Sequence, residues 1–202
     1  MTAETGKTTT GKRFMGFGSN LILGFLVSAL SVLTATANYM AYQSGNVAAD
    51  YETEGDRLLA LSNTEYIRAT QFIILDYTMF DGEFIQRDVD DFAADYYRDN
   101  FSAELQASVD RGSSFDDQYY EEMYAESDQT FDEAFDNFDK ANAEGGREAG
   151  FQLAMLIAAV GLAFSAYASL LNDENRLRWL FALLSFILML FSAWQFIVVT
   201  FA

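Results

Sequence analysis

A chain of 202 residues with 30 Asp and Glu against 12 Lys and Arg, and with no His, Cys or Pro, carries a formal charge of −18. Without Cys or His there is no disulfide, no thiolate nucleophile, no Cys-type zinc site, no Ser-His-Asp triad and no Glu-x-x-His di-iron bundle. The acidic balance argues against nucleic acid as a partner, because phosphate contacts need a basic surface, and the lack of Pro suits a chain that is mostly uninterrupted helix.

The chain opens with a tail, residues 1–20, holding Lys7, Lys12 and Arg13, and then runs for 22 residues (21–42) without a charge. A helix of about 22 residues rises about 33 Å, enough for a hydrocarbon core of about 30 Å. Residues 150–171 and 179–202 are two more runs of this kind. Burial inside a soluble protein fails on number, since a chain this short does not cover three helices that are apolar all round. We therefore expect three transmembrane helices. For the first run the alternative is a signal peptide cleaved near Asn38, with Ala35 and Ala37 spaced like a peptidase site; apolar character continuing through Tyr42 favours a span. On span one Gly24, Ser28, Ser31, Ala35 and Asn38 recur at 4-3-4-3 spacing, which predicts a close-packing helix seam.

Residues 43–149 are the acidic part, with 27 carboxylates against seven bases. Apolar spacing there is helical: Ile85, Val89, Phe92 and Tyr96; Leu58, Leu61, Phe72, Leu75 and Met79; Tyr120, Tyr124, Phe131, Phe135 and Phe138. "FDGEF" (80–84) and "RGSSF" (111–115) mark turns, and Ser114 with Asp117 is placed like a capping box. Helices of about 43–80, 84–110 and 114–148 follow, as a hairpin whose middle helix folds back. The alternative is a four-helix bundle, if the first helix breaks at "LSNTE". The aromatic stripes predict core before a ligand cage. Asp132, Asp136 and Asp139 share a helical face and predict a solvated surface before a cation site, since no stretch matches the EF-hand loop. So much Asp beside only three Lys resembles the proteins of extreme halophiles; the alternative is a surface that gathers cations.

Span two repeats the small-residue pattern at Ala154, Ala158, Gly161, Ser165 and Ala168, so spans one and two are expected to pack as a pair. A short loop (172–178) with Arg176 and Arg178 precedes span three, where Trp179 is placed to anchor an interface. Asn38 and Gln195, intramembrane amides at matching depth, are expected to hydrogen-bond, a contact worth about 0.6–2 kcal/mol. Lys12, Arg13, Arg176 and Arg178 set the topology by the positive-inside rule. They place the N-terminus and the 172–178 loop in the cytoplasm, and residues 43–149 and the C-terminus outside.

The hairpin "FQLAMLIAAVGLAFSAYASLLNDENRLRWLFALLSFILMLFSAW" (151–194) has a small-residue span, an Arg-bearing loop, a Trp and an aromatic-rich span in that order, and "NTEYIRATQF" (63–72) adds an aromatic, amide-bearing patch. This arrangement resembles an uncharacterised family of prokaryotic three-span membrane proteins, known as a domain of unknown function. The resemblance covers about half of the chain, and the central region is more acidic and more aromatic than the family pattern. It implies architecture and no activity.

The expected fold is all-α: three transmembrane helices with an acidic extracytoplasmic helical hairpin or bundle between spans one and two. The expected role is a non-enzymatic interaction, accessory or sensing subunit, without cofactor or metal. Its partners would be the bilayer and either copies of itself or another membrane or surface protein. The alternative is a subunit of a homo-oligomeric ion channel with an acidic outer vestibule.

Overall fold

The computed structural model describes residues 19–172 and 175–201. Five helices follow in order: α1 (Asn20–Gln86), α2 (Asp91–Asp99), α3 (Ala103–Asp110), α4 (Asp117–Leu170) and α5 (Arg176–Phe201). Three of them, α1, α4 and α5, are long and apolar enough to cross a membrane. The long helices tolerate polar β-branched residues because the hydroxyls of Thr34, Thr36, Thr53, Thr64, Thr70, Thr78 and Thr130 each return to the carbonyl four residues earlier. The chain divides into two compact units, one built from residues up to Asn46 and from Glu144 onward, the other from Val47–Ala143.

In the first unit α1, α4 and α5 pack against one another. Leu23 of α1 packs with Ala168 and Ala182 at one level, and Ala41 packs with Phe151 and Val199 at another. Between them a Cβ on Gly161 would meet Leu30 Cδ2 at 3.2 Å and Leu188 Cβ at 3.3 Å. The stripe Ala154, Ala158, Gly161, Ser165 and Ala168 is wholly buried. The stripe on α1 is not: Gly24, Ser28, Ser31, Ala35 and Asn38 are exposed, and the inward face is Leu23, Leu26, Leu30, Ala37 and Ala41. The reason is volume. A groove of small residues on α4 is filled by large side chains from its neighbours, Leu30 of α1 and Leu188 of α5 at Gly161, so α1 turns its large-residue face inward.

Gly161→Leu is therefore expected to lower thermal stability in detergent by about 1–3 kcal/mol, as overpacking does. Ser31→Leu, on the exposed face, should leave that stability unchanged. A melting curve of each variant checks the contrast.

In the second unit the partners of α1 and α4 run in opposite order. Tyr119 meets Asp76, Tyr120 meets Tyr77, Tyr124 meets Thr70 and Tyr66, Ser127 meets Ser62, and Phe138 meets Gly55. The two helices are antiparallel, and α2 and α3 fold back along α1 from Glu83 to Ile73. Several expected features differ. Helix α1 passes unbroken through "LSNTE" and "FDGEF" to Gln86, so there is neither a broken first helix nor a single middle helix 84–110. Gly82 sits inside α1, and its missing Cβ is the space taken by the Tyr97 ring, 2.5 Å from where that carbon would stand. Two short helices replace the middle helix, each with its own cap: Asp90 accepts from the Phe92 and Ala93 amides, and Ser102 from Leu105 N–H. The cap of α4 is Asp116, which accepts from Tyr119 N–H at 2.8 Å, and not Ser114. The turn before it is made by Gly112 at φ 87° and Phe115 at φ 57°.

The stripe Ile85, Val89, Phe92 and Tyr96 predicts a core face, yet all four are exposed. The spacing does not lie on one helix, because the chain turns at 87–89. Leu61, Phe72 and Leu75 are also largely exposed, and the inward face of α1 is Leu58, Ser62, Ala69, Ile73, Asp76 and Glu83. Ile73, Leu105 and Tyr119 form the apolar centre of this unit, with Phe80, Phe101 and Phe115 against it.

Candidate functional site

The titratable groups that the second unit buries are the natural place to look for chemistry. Asp76 is 2 % exposed and faces inward from α1 because it falls on the same side as Ile73 and Glu83. Its Oδ1 accepts from Ser102 N–H at 2.9 Å, and its Oδ2 accepts from Ser102 O–H at 2.5 Å and Tyr119 O–H at 2.8 Å. Ser102 acts twice, donating to Asp76 while its own Oγ accepts from Leu105 N–H at 3.0 Å to begin α3. Tyr119 is fully buried, and its phenol is pushed up far above its ordinary value, first by burial and then by the Asp76 carboxylate to which it donates. Beside it, Tyr120 is pushed up to about 12, chiefly by its hydrogen bond with Tyr77.

Glu83, two turns beyond Asp76 on the same buried face, is held by two guanidinium groups. Arg87 donates through Nε at 3.1 Å and Nη2 at 2.7 Å, and Arg98 of α2 donates to the same carboxylate. The Arg87 hydrogen bond holds Glu83 below the usual carboxylate range; burial opposes it and Arg98 reinforces it. Asp116 is likewise held well below that range, first by Arg111, which binds it through two nitrogens at 2.7 Å. These groups link helices; none has a free reactive partner beside it.

Next to this network lies a half-open cavity of about 270 Å³ between α1, α3 and α4. Glu65, Glu104, Glu122 and Glu126 line it together with Arg68, Phe72 and Met123, and the Arg68 guanidinium lies over the Phe72 ring at 5.6 Å. The Glu65 Oε2 atom is buried and has no hydrogen-bond partner. An acidic lining over an aromatic and a thioether suits a cationic group more than an anionic one. Among the described residues no group of three or more His, Cys, Asp or Glu is placed to hold a metal ion. Asp136, one of three acids on a shared α4 face, accepts from Lys140 at 2.5 Å.

Asn38 is exposed and Gln195 half-buried, and no hydrogen bond joins them. Ala37 and Ala41 hold the inward face where Asn38 would have to turn. The polar links between α4 and α5 are serines instead: Ser185 Oγ with Ser165 Oγ at 3.2 Å, and Ser192 O–H to the Ala154 carbonyl at 2.7 Å. Arg176 is exposed, and Trp179 is half-exposed beside it. Arg178 is 4 % exposed; it donates to the Leu171 carbonyl at 2.8 Å, at the C-terminal end of α4, and to Asn20 Oδ1 at 2.5 Å, at the start of α1. It therefore ties three helix ends together. Lys12 and Arg13 lie outside the described residues.

Sequence reasoning missed Asp76 and Glu83. The signal for Asp76 is that it is the one charge within "FIILDYTMF" (72–80), a run otherwise ready for burial. Glu83 is hidden in "FDGEF", which has the composition of a turn. No family model matches the chain, and neither a curated protein nor a solved structure does.

Proposed function

We propose that this chain is a non-enzymatic, multi-pass membrane protein whose second unit serves as an interaction, accessory or sensing module. One observation carries the reading: the buried carboxylates Asp76 and Glu83 are saturated by bonds within their own fold, while the large apolar side chains around the α1–α2 turn stand in solvent. A hydrolase needs a reactive group held ready, whereas a recognition module needs a stable frame and an exposed surface. The bases of residues 1–20 and 172–178, set against the 27 acids of 43–149, support a cytoplasmic N-terminus and α4–α5 loop, with the second unit and the C-terminus outside. The resemblance of residues 151–194 to a family of three-span membrane proteins supports the architecture alone.

Because the chain lacks Cys, single substitutions report sidedness cleanly. Ser113→Cys should react with an impermeant maleimide on intact cells, and Asn175→Cys should react after lysis only.

The test of function is native mass after gentle solubilisation from the protein's own membrane, with cross-linking from the second unit. The expected result is a stoichiometric second protein cross-linked to that unit. A closed homo-oligomer without companions would favour the alternative, a subunit of an ion-conducting assembly with an acidic vestibule. The observation behind that alternative is the exposed face Gly24, Ser28, Ser31, Ala35 and Asn38, where a helix of another copy would fit closely. Ser31→Leu would then reduce the native mass.

A further inference from the structure

We infer that the α1–α2 turn is a docking surface for a partner protein whose apolar contact face is rimmed by Lys or Arg; this rests on the functional reading above and gives it a location and a partner chemistry. Phe84, Ile85, Val89 and Phe92 are the most exposed large apolar side chains of the second unit, with Phe92 at 85 % and Val89 at 79 %. Tyr96 stands one turn beyond Phe92 on the same side of α2. The fold does not use these side chains as core. Helix α2 packs inward through Ala94 and through Tyr97, which covers Gly82, and it is tied down by Arg98 on Glu83. Five large apolar groups within thirteen residues are thus left in water by a unit that is otherwise heavily charged.

The charge around them selects the occupant. From Asp81 to Asp99 the chain has seven acids and two bases, and both bases, Arg87 and Arg98, are engaged by Glu83. Asp81, Asp88, Asp91, Asp95 and Asp99 are exposed among the apolar side chains. A second copy of this chain would set those carboxylates against their own kind, and an anionic bilayer would do the same. A protein face with an apolar centre and a cationic rim meets both the shape and the sign.

The test uses the full chain in zwitterionic nanodiscs and a fluorescent amphipathic helical peptide with Leu on one face and Lys on the other. The same peptide with Glu in place of Lys is the comparison, and binding is read by anisotropy. The Leu/Lys peptide should bind and the Leu/Glu peptide should not. The double variant Val89→Ser, Phe92→Ser should weaken binding by about tenfold or more, as loss of a central apolar anchor does. Asp88→Asn with Asp95→Asn should weaken it severalfold. Ile67→Ser with Ile74→Ser, which trims exposed apolar groups elsewhere on α1, should leave it unchanged.

Equal losses in the two serine double variants, or none in either, would overturn the inference, because binding would then follow the overall charge. So would a dimer, or adhesion to anionic vesicles, that Val89→Ser with Phe92→Ser abolishes. If a stoichiometric native partner is recovered and stays bound to this double variant, the surface is wrong while the functional reading stands. If no native partner exists, the functional reading fails whatever the peptide does.

Discussion

Replacing Asp76 by Ala is expected to destabilise the second unit more than any other single change proposed for it. The substitution removes a carboxylate that accepts three hydrogen bonds and leaves Ser102 N–H, Ser102 O–H and Tyr119 O–H facing a small void. A buried polar group left without a partner costs about 1–3 kcal/mol, so a loss of about 3–5 kcal/mol is expected once some groups find water. Tyr119→Phe should cost less, about 1–2 kcal/mol, because Asp76 keeps both bonds to Ser102. The readout is amide hydrogen exchange over Val47–Ala143 with α5 as internal reference. Exchange should accelerate in α3 and in the facing turns of α1 and α4, since Ser102 caps α3 through the same oxygen that donates to Asp76. Equal protection in Asp76→Ala and the parent chain would show that the network does not hold these helices.

Glu83 gives the second large effect, and its sign can be worked out. Its folded-state value is lowered, first by the Arg87 hydrogen bond. Its contribution is therefore fully present above the unfolded value of about 4.3 and is lost as pH falls through the lower folded value. Stability measured from neutrality downward should begin to fall near pH ~4.3. In Glu83→Gln that fall should be shallower, from a starting point lower by roughly 2 kcal/mol. The magnitude is modest because both guanidinium groups are half-exposed and solvent screens them. Asp116, also held low by its Arg partner, will contribute in the same direction, so the difference between parent and Glu83→Gln curves is the quantity to compare.

How far the sequence discloses this molecule depends on which force sets each feature. Twenty-odd residues without a charge, three times over, is a statement about solvation and needs no knowledge of neighbours; three helices of that kind are present. Which side of such a helix packs is harder to see, because lipid-facing and helix-facing positions are both apolar and the period carries no inward signal. On α4 the small residues Ala154 to Ala168 are buried, and on α1 the equivalent residues are exposed, although the spacing is identical. What distinguishes them is what packs there, such as Leu30 against Gly161, and that is a property of two helices together.

The second unit misleads for another reason. Its sequence places Ile85, Val89, Phe92 and Tyr96 at helical intervals across a turn, and a period is silent about where the helix stops. The inward face of α1 there includes Ser62, Asp76 and Glu83, whose burial depends on hydrogen-bond partners outside α1: the Ser127 carbonyl for Ser62, Ser102 and Tyr119 for Asp76, and Arg87 and Arg98 for Glu83. A hydropathy scale scores those positions as surface, since it assigns them no partners.

The serines between α4 and α5 have a consequence for assembly. In a bilayer each hydroxyl can return to a carbonyl of its own helix, as Ser169 does to Ser165 at 3.0 Å, so an interhelical bond adds little strength. What Ser192 to Ala154 and Ser185 to Ser165 supply is phase. They fix α4 against α5 at two points, two turns apart along α5 and three along α4, and a slide of one residue breaks both. The same slide would take Val199 off the gap left by Gly150. The hairpin formed by α4 and α5 therefore has one alignment that satisfies its hydroxyls and its volumes together.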